Sequence, residues 1–181
     1  MMFDISKSVG CTERMNYLKR GFLFYMCSSC MLLVQFAIYL VNSNYWESLN
    51  FVGGFYYLMA ALGQAFLFNL IPWVILYIPF TWWRQMQKVG TILFSCAIFL
   101  LNVLAYLNGI VFQLYKFHIN GFVLDLAFGG GGSQVFVFNN TLILHGVLIG
   151  LLILLFTLAV VFIAYRYARY VTSKQVKIGI Y

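Results

Sequence analysis

The side chains able to do chemistry are few, and they sit in places that limit what chemistry they can do. His118 stands two residues before Asn120 and seven before Asp125, and His145 follows a further twenty residues on. A histidine beside a carboxylate can bind a metal or move a proton, but this set offers too few ligands for a closed metal site. The expected role of His118 and Asn120 is to hydrogen-bond their loop to the helix ends, and that of His145 is an interfacial polar residue. Cys27 and Cys30 form a C-x-x-C pair inside an apolar run with no second pair to complete a zinc site, and packing is the better reading. Gly129 to Gly132 are not followed by Lys-Ser or Lys-Thr, so they form a flexible joint and not a phosphate loop.

A second set is polar without being ionisable. Asn102, Tyr106, Gly109 and Gln113 recur at i, i+4, i+7 and i+11, one face of a helix, and Gln64 and Asn69 add amides to the preceding apolar run. Polar side chains among lipid turn toward other helices, so the stripe marks a bundle interior or a helix-partner seam. Gly146 and Gly150 form a small-x-x-x-small pair that would let a helix approach closely.

The elements that must position these residues follow from composition. Of 181 residues, 64% are hydrophobic and 8% charged, against roughly a quarter charged in soluble domains. A water-soluble globule is excluded. A hydrocarbon layer of about 30 Å requires about 20 helical residues per crossing, and four runs qualify: about 21–41, 55–83, 89–115 and 142–165. The fold class expected is all-α, a polytopic helical membrane bundle of four spans. Residues 1–20 form a basic tail, 21–170 the transmembrane domain, and 171–181 a linker whose IGIY reads as the opening of a fifth helix. Pro72 and Pro79 should bend the second span, and residues 84–88 make a tight basic hairpin.

The net charge of +7 comes from residues beside apolar runs, so it reads as topology and not as a nucleic-acid patch. Four Lys or Arg precede the first span, two lie in the 84–88 hairpin, four lie between Arg166 and Lys177, and Lys116 alone lies on the other side. The rule that basic residues gather on the cytoplasmic side then places both termini of the chain in the cytoplasm. Tyr45, Trp46, Tyr56 and Tyr57 on one side, with Trp82, Trp83, Tyr165, Tyr167 and Tyr170 on the other, fit aromatic belts.

The outer loop at 116–141 is too apolar to be solvated and too rich in glycine to span. A short interfacial helix over 121–128 is expected, capped by Asn120 and closed by Gly129 with a positive φ. Phe122 and Leu126 share its face. Lys116, Phe117, His118, Asn120, Phe122 and Leu126 are thus the candidate lipid-facing or interfacial residues, and Lys116, Arg166 and Arg169 could meet anionic headgroups.

The stretch VFQLYKFHINGFVLDLAFGGGGSQVFVF resembles the N-terminal membrane domain of the bacterial inner-membrane sulfatase-like proteins, the YejM (PbgA) family, related more distantly to lipoteichoic acid synthases. The resemblance runs from about residue 63 to 170. It rests on an aromatic-rich helix ending in Phe117, His118, Ile119 and Asn120, a short apolar outer segment, a further span, and the hairpin from Arg84 to Lys88. It implies five membrane helices, of which four are here, and an alkaline-phosphatase-type periplasmic domain that is not. It also implies residence in the bacterial inner membrane and a part in envelope lipid homeostasis, including lipopolysaccharide synthesis. The function expected is therefore anchoring, lipid sensing and partner binding, with no enzyme activity and no cofactor in these residues. The expected partners are membrane lipids, with anionic phospholipid or lipopolysaccharide as candidates, and a membrane regulatory protein. The competing expectations are a small oligomeric transporter or channel, and an outer-leaflet enzyme built on His118, Asp125 and His145.

Overall fold

The computed structural model describes the backbone of residues 2–42, 50–116, 118–121, 125, 129 and 140–178. These residues form four long helices, and among them there is no strand. Helix α1 runs over Met2–Asn42, α2 over Phe51–Pro72, α3 over Gln87–Tyr115 and α4 over Asn140–Ile178. The parts long and apolar enough to cross a membrane are Glu13–Leu40, Phe51–Thr81, Gln87–Tyr115 and Ile143–Tyr167. The shortest of these is 25 residues, about 37 Å at 1.5 Å per residue and more than the roughly 30 Å hydrocarbon core. The basic tail proves to be the opening turns of α1, and the basic stretch after Tyr165 continues α4 without a break.

The second span is not one smoothly bent helix. Pro72 closes α2, a π-helical turn follows over Trp73–Tyr77, and a 3₁₀ turn over Ile78–Thr81 ends the span. Each proline removes one backbone donor. Between them the ladder slips to a wider register, in which the Ile78 N–H reaches the Trp73 carbonyl. Beyond Pro79 it tightens, and the Trp82 N–H bonds to the Pro79 carbonyl at 3.5 Å. A short 3₁₀ turn at Arg84–Met86 then leads directly into α3.

Helix α1 touches the other three, and its partners give the topology. Tyr17, Tyr25, Ser28 and Phe36 meet Tyr77, Phe66, Asn69 and Tyr57, so α1 and α2 are antiparallel. Phe24, Gln35 and Tyr39 meet Phe94, Asn102 and Phe112, so α1 and α3 are parallel. One end of the bundle therefore carries Arg20, Tyr77, Gly90 and Tyr165, and is called here the basic end; the other leads into the 116–141 segment and is the loop end.

Polarity is arranged for a hydrocarbon solvent. Ser28, Ser29, Asn69, Asn102 and Thr157 are buried, while Leu104, Leu152, Leu155 and Phe162 are exposed. Each of these five side chains has a partner. Ser28 donates to Asn69 Oδ1 at 2.8 Å, Asn69 to the Ala65 carbonyl at 2.9 Å, Ser29 to the Tyr25 carbonyl, and Thr157 to the Ile153 carbonyl. Lipid tails give helices no hydrophobic reason to associate, so packing and such bonds hold the bundle.

The basic end is filled by aromatic rings. Tyr17 and Tyr77 stack at 4.1 Å with their planes 3° apart, and each hydroxyl donates to the other's backbone carbonyl, at 3.2 and 2.7 Å. Gly21 makes this possible. A Cβ there would lie inside the Tyr77 ring, and its absence leaves the Tyr17 carbonyl, one turn earlier, open to the Tyr77 hydroxyl. Gly90 plays the same part on α3, where a Cβ would come within 2.5 Å of the Tyr17 hydroxyl and 2.8 Å of Phe80. Phe94 closes the cluster edge-on to Phe24 and Tyr77, at 5.0 and 5.3 Å.

Candidate functional site

At the loop end the same helices leave a cavity of about 520 Å³, within the roughly 300–1,000 Å³ range of small-molecule pockets. Gln35 and Tyr39 of α1, Tyr57 and Gln64 of α2, and Tyr106, Gly109 and Gln113 of α3 line it, with Ile149 on the α4 side. His118 completes the wall from beyond the end of α3. Three members of the polar stripe on α3 therefore share one chamber, and the fourth, Asn102, is fully buried one turn deeper.

The inner end has its amide orientations fixed. Asn102 Nδ2 donates to the Ile98 carbonyl at 2.8 Å, so its Oδ1 faces away and must be met by a donor. Gln35 Nε2 supplies that donor at 3.3 Å. The other atom of the Gln35 amide, Oε1, is then a buried acceptor without a partner. Among the described residues none hydrogen-bonds the side chains of Gln64 or Gln113. The Tyr57 hydroxyl, by contrast, donates to the Phe36 carbonyl at 2.7 Å.

The wall at His118 is built by a chain reversal. Lys116 adopts φ 61°, the sole non-glycine positive φ among the described residues, and turns the chain back along α3. Asn108 then receives it. Its Oδ1 accepts the Ile119 N–H at 2.8 Å, which leaves its Nδ2 to face His118 Nδ1 at 3.1 Å. In that orientation the Asn108 amide N–H₂ is the donor and His118 Nδ1 the acceptor. The imidazole also stacks on Phe112, at 4.5 Å with planes 21° apart, and Phe112 in turn meets Tyr39 at 5.4 Å.

The structure distributes the other sequence candidates as follows. Lys116 stays outside the cavity lining, its ammonium 6.0 Å from the centre of the Phe112 ring. Asn120 is exposed just before Gly121. Phe117, Phe122 and Leu126 lie outside the described residues, as does most of the 121–128 segment. Of that segment Gly121 and Asp125 are helical, and the Gly129 N–H donates to the Asp125 carbonyl at 2.7 Å. Gly129 does not take the positive φ expected of it. What a Cβ there would meet is the Asp125 carbonyl, so close approach is its role; the left-handed position is Lys116 instead.

Gly146 and Gly150 meet no neighbour: a Cβ at either would find nothing within 4 Å. Among the described residues they seat no helix, whereas Gly21 and Gly90 do. Tyr165, expected in an aromatic belt, is an inter-helix contact that takes the Arg20 guanidinium over its ring at 4.8 Å. Among the described residues no three His, Cys, Asp or Glu side chains gather as metal ligands, and Cys27, Cys30 and Cys96 are free thiols.

Sequence reasoning missed Gln35 and Asn108. The signal for Gln35 was a lone amide in the otherwise apolar second half of the first span. For Asn108 it was an amide ten residues before a histidine across a helix end.

Comparison with curated proteins and with solved structures finds no match. One family does match, over residues 12–181, so that it takes in all four spans, the cavity and the His118 wall. The chain belongs to that family, DUF3413, described as a domain of unknown function.

Proposed function

We propose that this is a membrane-anchoring domain that senses lipid through its loop-end cavity and binds a membrane partner, within a sulfatase-like protein of the bacterial inner membrane concerned with envelope lipids such as lipopolysaccharide. The observation that carries the reading is the cavity itself: a chamber of about 520 Å³ among spanning helices, lined by phenols and amides and bordered by the exposed apolar Ile38 and Tyr56. Amphipathic lining at the end of a span suits an amphipathic occupant. The likeness of residues 63–170 to the YejM (PbgA) family supports the wider setting. The family match covers the same stretch. The open stripe at Gly146 and Gly150 is the surface we assign to the partner helix. With both termini in the cytoplasm, as the basic residues direct, the cavity would lie in the outer leaflet.

A channel is the less favoured reading. Beneath the cavity the bundle is closed by Tyr17, Tyr77 and Phe94, all almost fully buried, so among the described residues no path leads on to the basic end.

Gly109 provides the test. A Cβ there has Tyr39 Cδ2 at 3.8 Å as its nearest contact, so Gly109→Leu should fill the chamber without disturbing the helices. Protein purified in mild detergent should retain less lipid, counted by mass spectrometry, as the variant than as the wild type. Equal retention at equal thermal stability would overturn the reading.

A further inference from the structure

We infer that the headgroup held in the loop-end cavity is uncharged and carries a hydroxyl, as in diacylglycerol, and is not a phosphate; this rests on the lipid-sensing reading above. Two features of the lining lead there. The first is the absence of charge: among the described residues that line the chamber there is no Lys, Arg, Asp or Glu, and Lys116, close by in sequence, rests over Phe112 instead. An ionised phosphate taken into a chamber with no counter-charge loses its hydration without replacement, a cost that uncharged groups avoid.

The second feature is a specific unmet acceptor. Gln35 cannot turn its amide over, because Asn102 Oδ1 demands its N–H₂ and Asn102 is itself fixed by the Ile98 carbonyl. Its buried Oε1 therefore calls for a donor that none of the described residues supplies. A hydroxyl donates one hydrogen bond and accepts others, so the same group can answer Gln35 and receive an N–H from Gln64 or Gln113. A phosphate diester has no proton to give. The chamber is large enough for such a headgroup and the first part of an acyl chain, with the remainder leaving past Ile38 and Tyr56 into the bilayer.

The experiment uses the whole chain in nanodiscs of phosphatidylcholine, doped in parallel with diacylglycerol or with phosphatidylglycerol, each carrying a diazirine at the same acyl carbon. After photolysis, labelled peptides are identified by mass spectrometry. The expected result is labelling of peptides containing 35–39 or 105–113 by diacylglycerol well above phosphatidylglycerol. That labelling should fall about fivefold in Gln35→Leu, the equivalent of one hydrogen bond of ~1 kcal/mol, and similarly in Gln113→Leu, whose side chain supports no other residue. Equal labelling by both lipids, abolished by Gly109→Leu, would overturn the headgroup assignment while leaving lipid sensing intact. Labelling of neither lipid within the lining would overturn both.

Discussion

The two ends of the bundle use the same kinds of residue to opposite effect. At the basic end, tyrosine, phenylalanine and glycine from α1, α2 and α3 interlock, and a gap of about 10 Å³ remains between Arg20, Phe24, Tyr77 and Tyr165, no more than about one water. At the loop end, tyrosine, glycine and glutamine from the same three helices surround about 520 Å³. The difference lies in what the glycines face. Gly21 and Gly90 are pressed against rings, whereas Gly109 has one ordinary contact at 3.8 Å. Glycine in a helix costs stability relative to alanine, and at the basic end close packing offsets the cost. At the loop end no packing among the described residues does so, which is what a site kept open for another molecule requires.

The sharpest way to break this comparison is to add one methyl group at the packed end. Gly21→Ala puts a Cβ into the Tyr77 ring, which must then leave both its stacking and its hydrogen bond to the Tyr17 carbonyl. Overpacking of this kind costs about 1–3 kcal/mol, and the upper part of that range is expected, read as equilibrium unfolding in mixed micelles. Unchanged stability would mean that the basic end is not closely packed.

Next in size is Asn102→Leu, at the border between the two regions. It removes the acceptor of Gln35 Nε2 and leaves a second polar atom beside the first unpartnered one. A loss of about 1–3 kcal/mol is expected, smaller than for Gly21→Ala because Gln35 can turn toward the cavity. A loss as large as that of Gly21→Ala would show the loop end to be as rigid as the basic end.

The sequence displayed the spans because their signal is additive: twenty apolar residues in a row outweigh any local exception. It displayed the polar stripe because Asn102, Tyr106, Gly109 and Gln113 share one helix, where periodicity alone decides the face. It did not display the cavity, since whether a face meets a ring or a void depends on neighbours from other helices. Gly21 and Gly109 are the same residue in similar apolar surroundings, and nothing local separates them. The π-helical turn was hidden for a related reason. Two prolines announce a disturbed helix, but whether the ladder widens or bends is settled by what Tyr77 can reach, and that partner lies sixty residues away. The Asn108 clip joins a helix to the loop beyond it, and no periodic pattern crosses such a boundary.

A smaller effect separates ring packing from hydrogen bonding at the basic end. Tyr77→Phe keeps the stacked ring and removes only the hydroxyl that donates to the Tyr17 carbonyl at 2.7 Å. A loss of about 1 kcal/mol is expected, measured by the same unfolding assay. A loss matching that of Gly21→Ala would mean that the hydrogen bond, and not the fit of ring against glycine, holds α2 to α1.

The smallest effect expected is also the one of opposite sign. Gly109→Ala places a methyl group 3.8 Å from Tyr39 Cδ2 and near nothing else, so no overpacking opposes the gain in helix propensity, up to about 1 kcal/mol. The variant should unfold at slightly higher denaturant concentration than the wild type, while Gly21→Ala unfolds at lower. Lipid retention should change little, because one methyl removes only a small part of a 520 Å³ chamber, in contrast to the loss expected for Gly109→Leu. A destabilised Gly109→Ala would mean that the helices at the loop end close against one another without an occupant, and the contrast between a packed end and an open one would then not hold.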